Sequence, residues 1–591
     1  MIKRSIVRRK YVEPEGSLSY LPEKIQQLYA SRGISQSSEL EYELKNLLAP
    51  TGLKEIDVAC EILFDAITRN KKILIVGDFD ADGATSSSIM MKGLALLGAN
   101  NIDFLVPDRF KFGYGLSVKL VEHASLREPD LIVTVDNGIA NIEGVAKANE
   151  LNIPVLVTDH HLAGEQLPDA VAIVNPNQPG CEFESKNLAG VGVAFYLMLA
   201  LRSFMRNKGW FESQQIEVPN LANLLDIVAL GTVADVVPLD RNNRILVEQG
   251  LRRIRSGLAC PGIKAILHVA GRDETKCQSS DLGFALGPRI NAAGRLDDMT
   301  VGIECLMAKT FEQALPIAQR LDQLNRSRKQ IEQDMLVQAN LDIDAFLESN
   351  LEEITDSFAS ESLSEQRPFS LCLFDPEWHQ GVIGILASRV KDKINRPVIV
   401  FAKDDDSAEP TIKGSARSVK GVHIRDVLAF LDAKHPHLIE KFGGHAMAAG
   451  LSIKQKHFQE FAEYFCEAVE SHLNGETIKD EVITDGELAQ CELSINFAME
   501  LRKAGPWGQG FPEPLFDGEF SVVTSRIVGE NHLKLIVENQ GLQLDAIYFR
   551  CPEYLQAQPG ERVRIVYKLD INEFRGNISV QMLIEQLEIV D

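Results

Sequence analysis

Short apolar runs alternate with amphipathic stretches through residues 71 to 240. Ile73–Val76, Leu131–Val135 and Val155–Thr158 are almost entirely apolar, as expected for strands buried on both faces of a parallel sheet. Ile102–Val106 is a further short strand, and Thr85–Leu97 has the pattern of a helix. The alternation of strands and helices predicts an α/β domain, which we place at residues 71–305.

The flanking regions have other patterns. Residues 1–70 form a predicted N-terminal helical segment, and a long helix from Thr310, with Gln313 in a capping box, forms a connector over 306–350. Residues 351–475 predict a smaller α/β domain that begins with an acidic, serine-rich loop at 352–366. Residues 476–591 contain five strand patterns and predict a C-terminal β-barrel, for which the OB-fold is a candidate.

Acidic side chains follow the first buried strand directly. Asp78, Asp80 and Asp82 lie within five residues, and such a cluster needs a stabilising charge. Carboxylate oxygens are ligands for Mg²⁺ and Mn²⁺. A solvated acidic loop with an aspartate helix cap is the simpler interpretation. The preceding buried strand favours a ligand site, because parallel sheets bind ligands at the carboxyl ends of their strands.

Polar residues also follow the later strands. Asp136 comes after Leu131–Val135, and His160 and His161 come after Val155–Thr158. Because parallel strands end at one edge, these residues should converge with the aspartates and with Arg109, although they are far apart in sequence.

Two further segments carry candidate polar groups. Asp235 follows an apolar segment that predicts a buried helix ending near Gly231 or Thr232, so it is either a metal ligand or a cap or buried acceptor. Arg289 and Arg295 lie in a run of small residues that we interpret as a loop able to approach phosphates, with surface decoration as the alternative for either one. Trp507 and Phe511 are either base-stacking residues or core.

Composition restricts the class of protein. The chain has 591 residues, a net charge of −23 and nine cysteines without a Cys-x-x-Cys motif, so neither a disulfide framework nor a cysteine zinc site is indicated. No apolar run is long enough for a membrane span, and we expect a cytoplasmic protein without membrane association. The negative charge argues against nucleic-acid binding unless bound cations and a local basic path offset it.

Several of these segments together resemble the DHH phosphoesterase superfamily. The triplet Asp159-His160-His161 matches its name, residues 77–83 and 135–138 resemble its first two motifs, and residues 230–235 resemble the fourth. Residues 443–446 resemble the glycine-rich signature of the associated DHHA1 domain. Residues 109–115, residues 289–295 and the barrel are similar to its bacterial branch of 5′→3′ exonucleases specific for single-stranded DNA.

The resemblance implies roles at matched positions. It implies two divalent cations, Mg²⁺ or Mn²⁺, with these ligands: Asp80, Asp82, Asp136, His160 and Asp235. His161, Asp136 and Asp78 are the implied catalytic residues, with Asp136 bridging the cations, Asp78 a ligand or a support for one, and His161 at the scissile phosphate. Val76 stands where some members have a histidine, which implies a water ligand there. The implied nucleic-acid and phosphate contacts are Arg109, Tyr114, Arg289, Arg295, Arg389, Ser415, Arg417 and His445.

The implied activity is 5′→3′ exonucleolytic degradation of single-stranded DNA to mononucleotides in DNA repair and recombination. The implied partners are a single-strand-binding protein and a helicase, and we expect a monomer. Two alternatives are another enzyme on the same core, either a pyrophosphatase or a phosphodiesterase for short oligoribonucleotides or cyclic dinucleotides, and a scaffold relative without activity. The first is typical of shorter chains without the barrel, and the second conflicts with the presence of every expected ligand.

Overall fold

The structure is a computed structural model that describes residues 4–11, 18–352, 369–404, 410–473, 478–479, 481–529, 531–552, 555–574 and 576–590. The chain divides into two units. The larger unit comprises Arg8–Asn325 and Thr484–Asp591, and the smaller unit comprises Arg326–Ile483 with Met1–Val7. Apart from Glu352, which ends a helix, the predicted acidic loop lies outside the described residues.

The N-terminal segment contains two α-helices and one short strand among its described residues. Its elements are β1 (Ser5–Arg8), α1 (Glu23–Ala30) and α2 (Ile56–Thr68). Helix α2 buries Leu63 and Cys60 in the core of the larger unit.

A five-stranded parallel sheet forms the centre of the larger unit, in the order β3-β2-β4-β5-β6. The strands are β2 (Ile73–Val76), β3 (Ile102–Leu105), β4 (Leu131–Val135), β5 (Val155–Thr158) and β6 (Ala172–Val174). Strand β2 is buried on both faces, because Ile73 and Ile75 pack into one apolar cluster and Leu74 and Val76 into another. The predicted bounds of β2, β4 and β5 are confirmed.

The strand register aligns the carboxyl ends. Val76 of β2 pairs with Thr134 of β4, and Val135 of β4 pairs with Thr158 of β5. The residues that follow these three strands therefore emerge at one edge of the sheet.

Helices cover the sheet and extend the unit. They are α3 (Ala81–Leu96), α4 (Val118–Ser125), α5 (Ile142–Glu150), α6 (Gly190–Asn207), α7 (Trp210–Gln214), α8 (Leu225–Ala234), α9 (Arg241–Arg255), α10 (Pro261–Val269), α11 (Ser279–Asp281), α12 (Gly287–Leu296) and α13 (Thr300–Met307). A short π-helix, Leu282–Leu286, joins α11 to α12. The interpretation of residues 287–295 as a loop is wrong, because they form α12.

Helix α14 (Phe311–Glu352) is the predicted connector and contains residues of both units. The Thr310 hydroxyl accepts a hydrogen bond from the backbone N–H of Gln313 at 3.3 Å, which caps the helix as predicted. The Gln313 side chain accepts from the N–H of Lys309 instead of Thr310, so the predicted capping box is shifted by one residue.

The smaller unit contains a mixed five-stranded sheet in the order β10-β11-β9-β8-β7. Its strands are β7 (Leu371–Phe374), β8 (Val398–Lys403), β9 (Thr411–Arg417), β10 (Ile439–Gly444) and β11 (Ala448–Lys454). Its helices are α15 (Ile383–Ile394), α16 (Ile424–Lys434) and α17 (Phe458–Leu473). Phe401, Phe461 and Phe465 lie in its core, which confirms a smaller α/β domain.

The C-terminal strands close into the predicted barrel, in the order β13-β14-β15-β17-β16. The elements are β12 (Glu481–Thr484), which pairs with β1, then α18 (Ile495–Lys503), β13 (Phe516–Val528), β14 (His532–Asn539), β15 (Leu542–Tyr548), β16 (Arg562–Phe574) and β17 (Asn577–Val590). Phe511 is buried and stacks on Trp507 at 5.1 Å, with Arg244 of α9 above it at 4.5 Å. Phe511 is therefore core.

Candidate metal centre

The predicted convergence of acids and imidazoles occurs at the carboxyl edge of the larger unit's sheet. Asp78 lies two residues beyond β2, Asp136 directly follows β4, and His160 lies two residues beyond β5. Asp235 joins them from the C-terminal end of α8. Residues separated by more than 80 positions thus meet because three parallel strands end together, and α8 adds Asp235.

The chain turns into α3 within the acidic segment. Asp80 is the N-cap, and its carboxylate accepts hydrogen bonds from the N–H groups of Asp82 and Gly83 at 2.9 and 3.0 Å. This cap starts the helix at Ala81, four residues before the predicted start at Thr85, and places Asp82 in its first turn. Capping, the simpler interpretation of these aspartates, is thus true of Asp80.

The side chains form overlapping groups whose potential ligand atoms lie within 4.8 Å of one another. Two of them, Asp78 with Asp80 and Asp136, and Asp82 with His160 and Asp235, have no residue in common, and a third, Asp136 with His160 and His161, overlaps both. His160 Nε2 joins them, because it lies 3.1 Å from Asp136 Oδ1 and 3.5 Å from Asp235 Oδ2. The two separate groups therefore offer two adjacent cation sites, which the contact between Asp136 and His160 connects.

Burial makes the carboxylate charges costly. Asp78, Asp82 and Asp136 are 3%, 1% and 2% exposed. Burial, followed by the charge of neighbouring aspartates, raises the pKa of Asp82 to about 7 and the pKa values of Asp78 and Asp136 well above their usual range. Asp78 Oδ1 is buried without a hydrogen-bond partner among the described residues. Carboxylate oxygens with imidazole nitrogen at this spacing fit divalent cations.

Helix α6 supports the centre, which sequence reasoning did not predict. The N–H groups of Gly190 and Val191 donate to Asp82 at 2.6 and 3.0 Å. A Cβ atom on Gly190 would lie 2.7 Å from the Cβ of Asp136, so only glycine allows this approach. The only hint of this contact in the sequence was a pair of glycines, Gly190 and Gly192, at the start of a helix.

His161 has a different environment from His160. Its Nδ1 lies 2.8 Å from Asp159 Oδ1, and the Tyr114 hydroxyl lies 3.2 Å from its Nε2. Burial alone would lower the pKa of His161, but the hydrogen bond and charge of Asp159 raise it to about 9. Asp159 also accepts from the N–H of Ile139 at 3.0 Å, which fixes its position. Asp159 therefore orients a protonated imidazole beside the aspartates.

Arg109 and Tyr114 lie next to the acidic segment. The Arg109 guanidinium covers the Phe79 ring at 4.5 Å, and burial lowers its pKa against the opposing charges of Asp78 and Asp80. The Tyr114 ring is 44% exposed, and its hydroxyl donates to the backbone carbonyl of Asp136 at 3.3 Å. Both side chains lie where a phosphate at the centre could be contacted.

Helix α12 contacts the acidic segment through its small residues. The Asn291 side-chain oxygen accepts from the N–H of Ala81 at 2.8 Å, and a Cβ on Gly294 would lie 1.8 Å from the Phe79 carbonyl oxygen. Arg289 lies 2.8 Å from Asp322 and is mostly buried, and Arg295 lies in the last turn. The small residues that suggested a phosphate loop are instead packing positions.

The remaining predicted contacts lie in the smaller unit. Arg417 donates to the hydroxyls of Ser415 and Ser388 at 3.1 and 3.2 Å, and burial lowers its pKa. Within the described residues, no carboxylate lies within ion-pair distance of Arg417. Arg389 pairs with Glu332 at 2.9 Å, and His445 lies in the turn between β10 and β11.

Comparison with known proteins shows the family of the chain. Residues 72–232 match the DHH family, N-terminal domain; residues 368–471 match the DHHA1 domain; and residues 484–586 match the RecJ OB domain. The single-stranded-DNA-specific exonuclease RecJ of Salmonella typhimurium is 52% identical over 588 residues, which cover 99% of both chains. The chain belongs to the RecJ family.

More distant RecJ proteins share the same organisation. The single-stranded-DNA-specific exonuclease RecJ of Bacillus subtilis is 34% identical over 91% of this chain and 64% of its own. The crystal structure of RecJ in complex with Mn²⁺ from Thermus thermophilus superposes with a TM-score of 0.79 at 26% identity, covering 100% of this chain and 80% of that one.

None of the described helices is both long and apolar enough to span a bilayer.

Proposed function

We propose that this RecJ-family chain is a metal-dependent exonuclease that degrades single-stranded DNA from the 5′ end to mononucleotides. The observation that carries the proposal is the pair of ligand groups that the 3.1 Å approach of His160 to Asp136 brings together. The RecJ structures in complex with Mn²⁺ and with Mg²⁺ support the choice of cation.

The proposed ligands are the members of the two groups: Asp78, Asp80, Asp82, Asp136, His160 and Asp235. These residues would hold two divalent cations, which would supply a water nucleophile at neutral pH and stabilise charge on the phosphate under attack. Asp136 belongs to the first group and touches His160 of the second, so it is the proposed bridging residue. The N–H groups of Gly190 and Val191 hold Asp82 in orientation, as outer partners of metal ligands do.

His161 is the proposed donor to the phosphate and the leaving group. The hydrogen bond and charge of Asp159 raise the pKa of His161 to about 9 in the metal-free chain, and Asp159 fixes the ring through Nδ1. Nε2 then faces Tyr114 and is the atom that would donate a hydrogen bond or a proton.

The proposed DNA contacts divide by what each side chain already binds. Arg417 with Ser415 offers donors without a bound carboxylate, which suits a terminal phosphate. Arg109 of the larger unit is the alternative candidate for that contact. Tyr114 is proposed to stack on a base, and Arg295 and His445 to contact the backbone. Backbone tracking by Arg289 or Arg389 would require each to exchange a carboxylate partner for phosphate.

Substitution of the bridging residue tests the proposal. Asp136→Asn should lower Mn²⁺-dependent cleavage of a single-stranded oligonucleotide by at least about 100-fold, because even outer partners of metal ligands are worth 10–100-fold. Asparagine tolerates the left-handed backbone of Asp136, whose φ is 62°, so the fold should persist. Strands labelled at either end report polarity, and double-stranded DNA, a dinucleotide and a cyclic dinucleotide report specificity.

Asp57→Asn is the matched control, since Asp57 is an exposed carboxylate on α2. Near-normal turnover by the Asp136→Asn variant would overturn the metal assignment. The predictions of a monomer in the cytoplasm, recruited by a single-strand-binding protein and a helicase, are tested separately by sedimentation, fractionation and co-purification.

A further inference from the structure

A second group of metal-ligating side chains lies in the smaller unit. It consists of His437, His457 and Glu460, and we call it the histidine cluster. His437 lies two residues before β10, His457 ends a short 3₁₀ turn (Gln455–His457) after β11, and Glu460 lies in the first turn of α17. His457 and Glu460 are three residues apart on one continuous stretch of backbone, and His437 joins them from a second stretch.

The spacing of the histidine cluster matches that of ligands around one ion. His437 Nε2 lies 3.3 Å from Glu460 Oε1, and His457 Nδ1 lies 3.5 Å from Glu460 Oε2. Ligands at 2.0–2.1 Å from a tetrahedral ion are about 3.3–3.4 Å apart. One ligand atom from each of the three side chains can be chosen so that all three atoms lie within 4.8 Å of one another. Because the side chains are partly exposed, small rotations would bring these atoms into tetrahedral positions around one ion.

The chemistry of the cluster differs from that of the carboxylate-rich centre in the larger unit. Two imidazoles with one carboxylate suit Zn²⁺ and similar transition metals, whereas Mg²⁺ prefers oxygen ligands. The side chains of His437, His457 and Glu460 are 54%, 20% and 44% exposed, so an ion could enter from solvent and keep a water as a fourth ligand.

A ring contact limits the movement of the segment between α16 and β10, which carries His437. His435 stacks on Tyr464 of α17, with ring centroids 3.8 Å apart and an angle of 16° between planes. This contact holds the segment containing His437 against the same helix that carries Glu460. The segment leads into β10, and the β10–β11 turn carries His445, a proposed DNA contact.

We propose that His437, His457 and Glu460 bind one Zn²⁺ ion or a similar transition-metal ion, which links the start of β10 to the start of α17. This is a site separate from the two-cation centre, and it does not depend on the nuclease proposal. Its role is structural: it cross-links the base of the β10–β11 hairpin to the helix that packs beneath the sheet.

Zinc binding to the full-length chain tests the site. The Asp136→Asn variant, saturated with Mg²⁺, is titrated with Zn²⁺ against a chromophoric chelator, and the melting temperature is measured with and without Zn²⁺. We expect one Zn²⁺ per chain and a rise in melting temperature. Adding His457→Ala or Glu460→Gln should weaken binding at least tenfold and remove the rise.

His423→Ala is the matched control, since His423 pairs with Asp426 at 3.2 Å but belongs to none of the metal-ligating groups among the described residues. It should leave the Zn²⁺ stoichiometry and affinity unchanged. Equal Zn²⁺ binding with and without the His457→Ala and Glu460→Gln changes would overturn the proposal and leave the cluster as ion pairs only. Circular dichroism confirms that each variant is folded.

Discussion

At the scale of single residues, the metal centre holds several carboxylates close together in buried positions, where their negative charges are unfavourable. Asp82 is buried among other carboxylates, and its pKa is raised from 3.8 to about 7. The folded chain without metal therefore retains a proton on Asp82 at pH values where the unfolded chain has lost it. By linkage, the contribution of Asp82 to the free energy of unfolding of the metal-free protein falls as pH rises from about 4 to about 7.

The response to metal should consequently depend on pH. We expect Mn²⁺ to raise the melting temperature more at pH 8 than at pH 6, because protons compete for the carboxylates at the lower pH. Thermal unfolding in EDTA and in excess Mn²⁺ measures the difference. An Asp82→Asn variant lacks the titrating group and should show a weaker dependence; an equal Mn²⁺ effect at both pH values would contradict the argument.

The close approach of Gly190 to Asp136 leads to a prediction about positioning. Gly190→Ala places a Cβ 2.7 Å from Asp136 Cβ and 2.8 Å from its Oδ1, so Asp136 must move. Displacement of a reacting group by about 1 Å can cost up to about 100-fold in rate, so we expect at least a tenfold loss of nuclease activity. Gly192→Ala, two residues further along α6, meets only the flexible Leu188 side chain at 3.0 Å and should retain most activity.

At the scale of elements, the acidic segment is held between α6 and α12. Gly294→Ala should displace it, because the added Cβ would lie 1.8 Å from the Phe79 carbonyl oxygen, a backbone atom that cannot rotate away. We expect weaker Mn²⁺ affinity, measured by calorimetry, and reduced stability. Gly283→Ala is the control, since its Cβ would meet only Val233 at 3.3 Å. Identical Mn²⁺ affinity in the two variants would show that α12 does not position the segment.

The sequence allowed some elements to be predicted and not others, for physical reasons. Strands β2, β4 and β5 were predictable because a strand buried on both faces is a continuous apolar run. Helix α12 could not be predicted, because its content of glycine, proline and alanine is also typical of a loop. The reason for Gly294 became clear only from its close contact with the Phe79 carbonyl oxygen. The donors from Gly190 and Val191 to Asp82 lie more than 100 residues away in sequence, and no periodicity predicts such a pairing.

At the scale of the whole molecule, the segment before the barrel completes the core of the larger unit. Phe511 stacks on Trp507 and on Tyr29 of α1, and the Leu239 N–H donates to the Gln509 carbonyl at 2.7 Å. Removing the C-terminal domain would thus expose apolar surface near Asp235, so a deletion cannot isolate a DNA-binding role of the barrel.

A point substitution tests this role in stability more cleanly. Phe511→Ala should destabilise the larger unit by about 3–5 kcal/mol, the usual cost of emptying a buried phenylalanine site. Phe549→Ala, where the side chain is 54% exposed, should change stability by no more than about 0.5 kcal/mol. Denaturant titration followed by tryptophan fluorescence reports both, and equal stabilities would contradict the packing argument.

The larger unit is interrupted in sequence by residues 326–483, and its last part begins at Thr484. During translation, the first part leaves the ribosome long before the residues that cover Tyr29 and Leu239 exist. At about 5–20 residues per second, the nascent chain spends many seconds with this apolar surface uncovered. Chaperone binding should therefore concentrate in that interval, and a message truncated before codon 484 should yield a product that is degraded instead of a smaller enzyme.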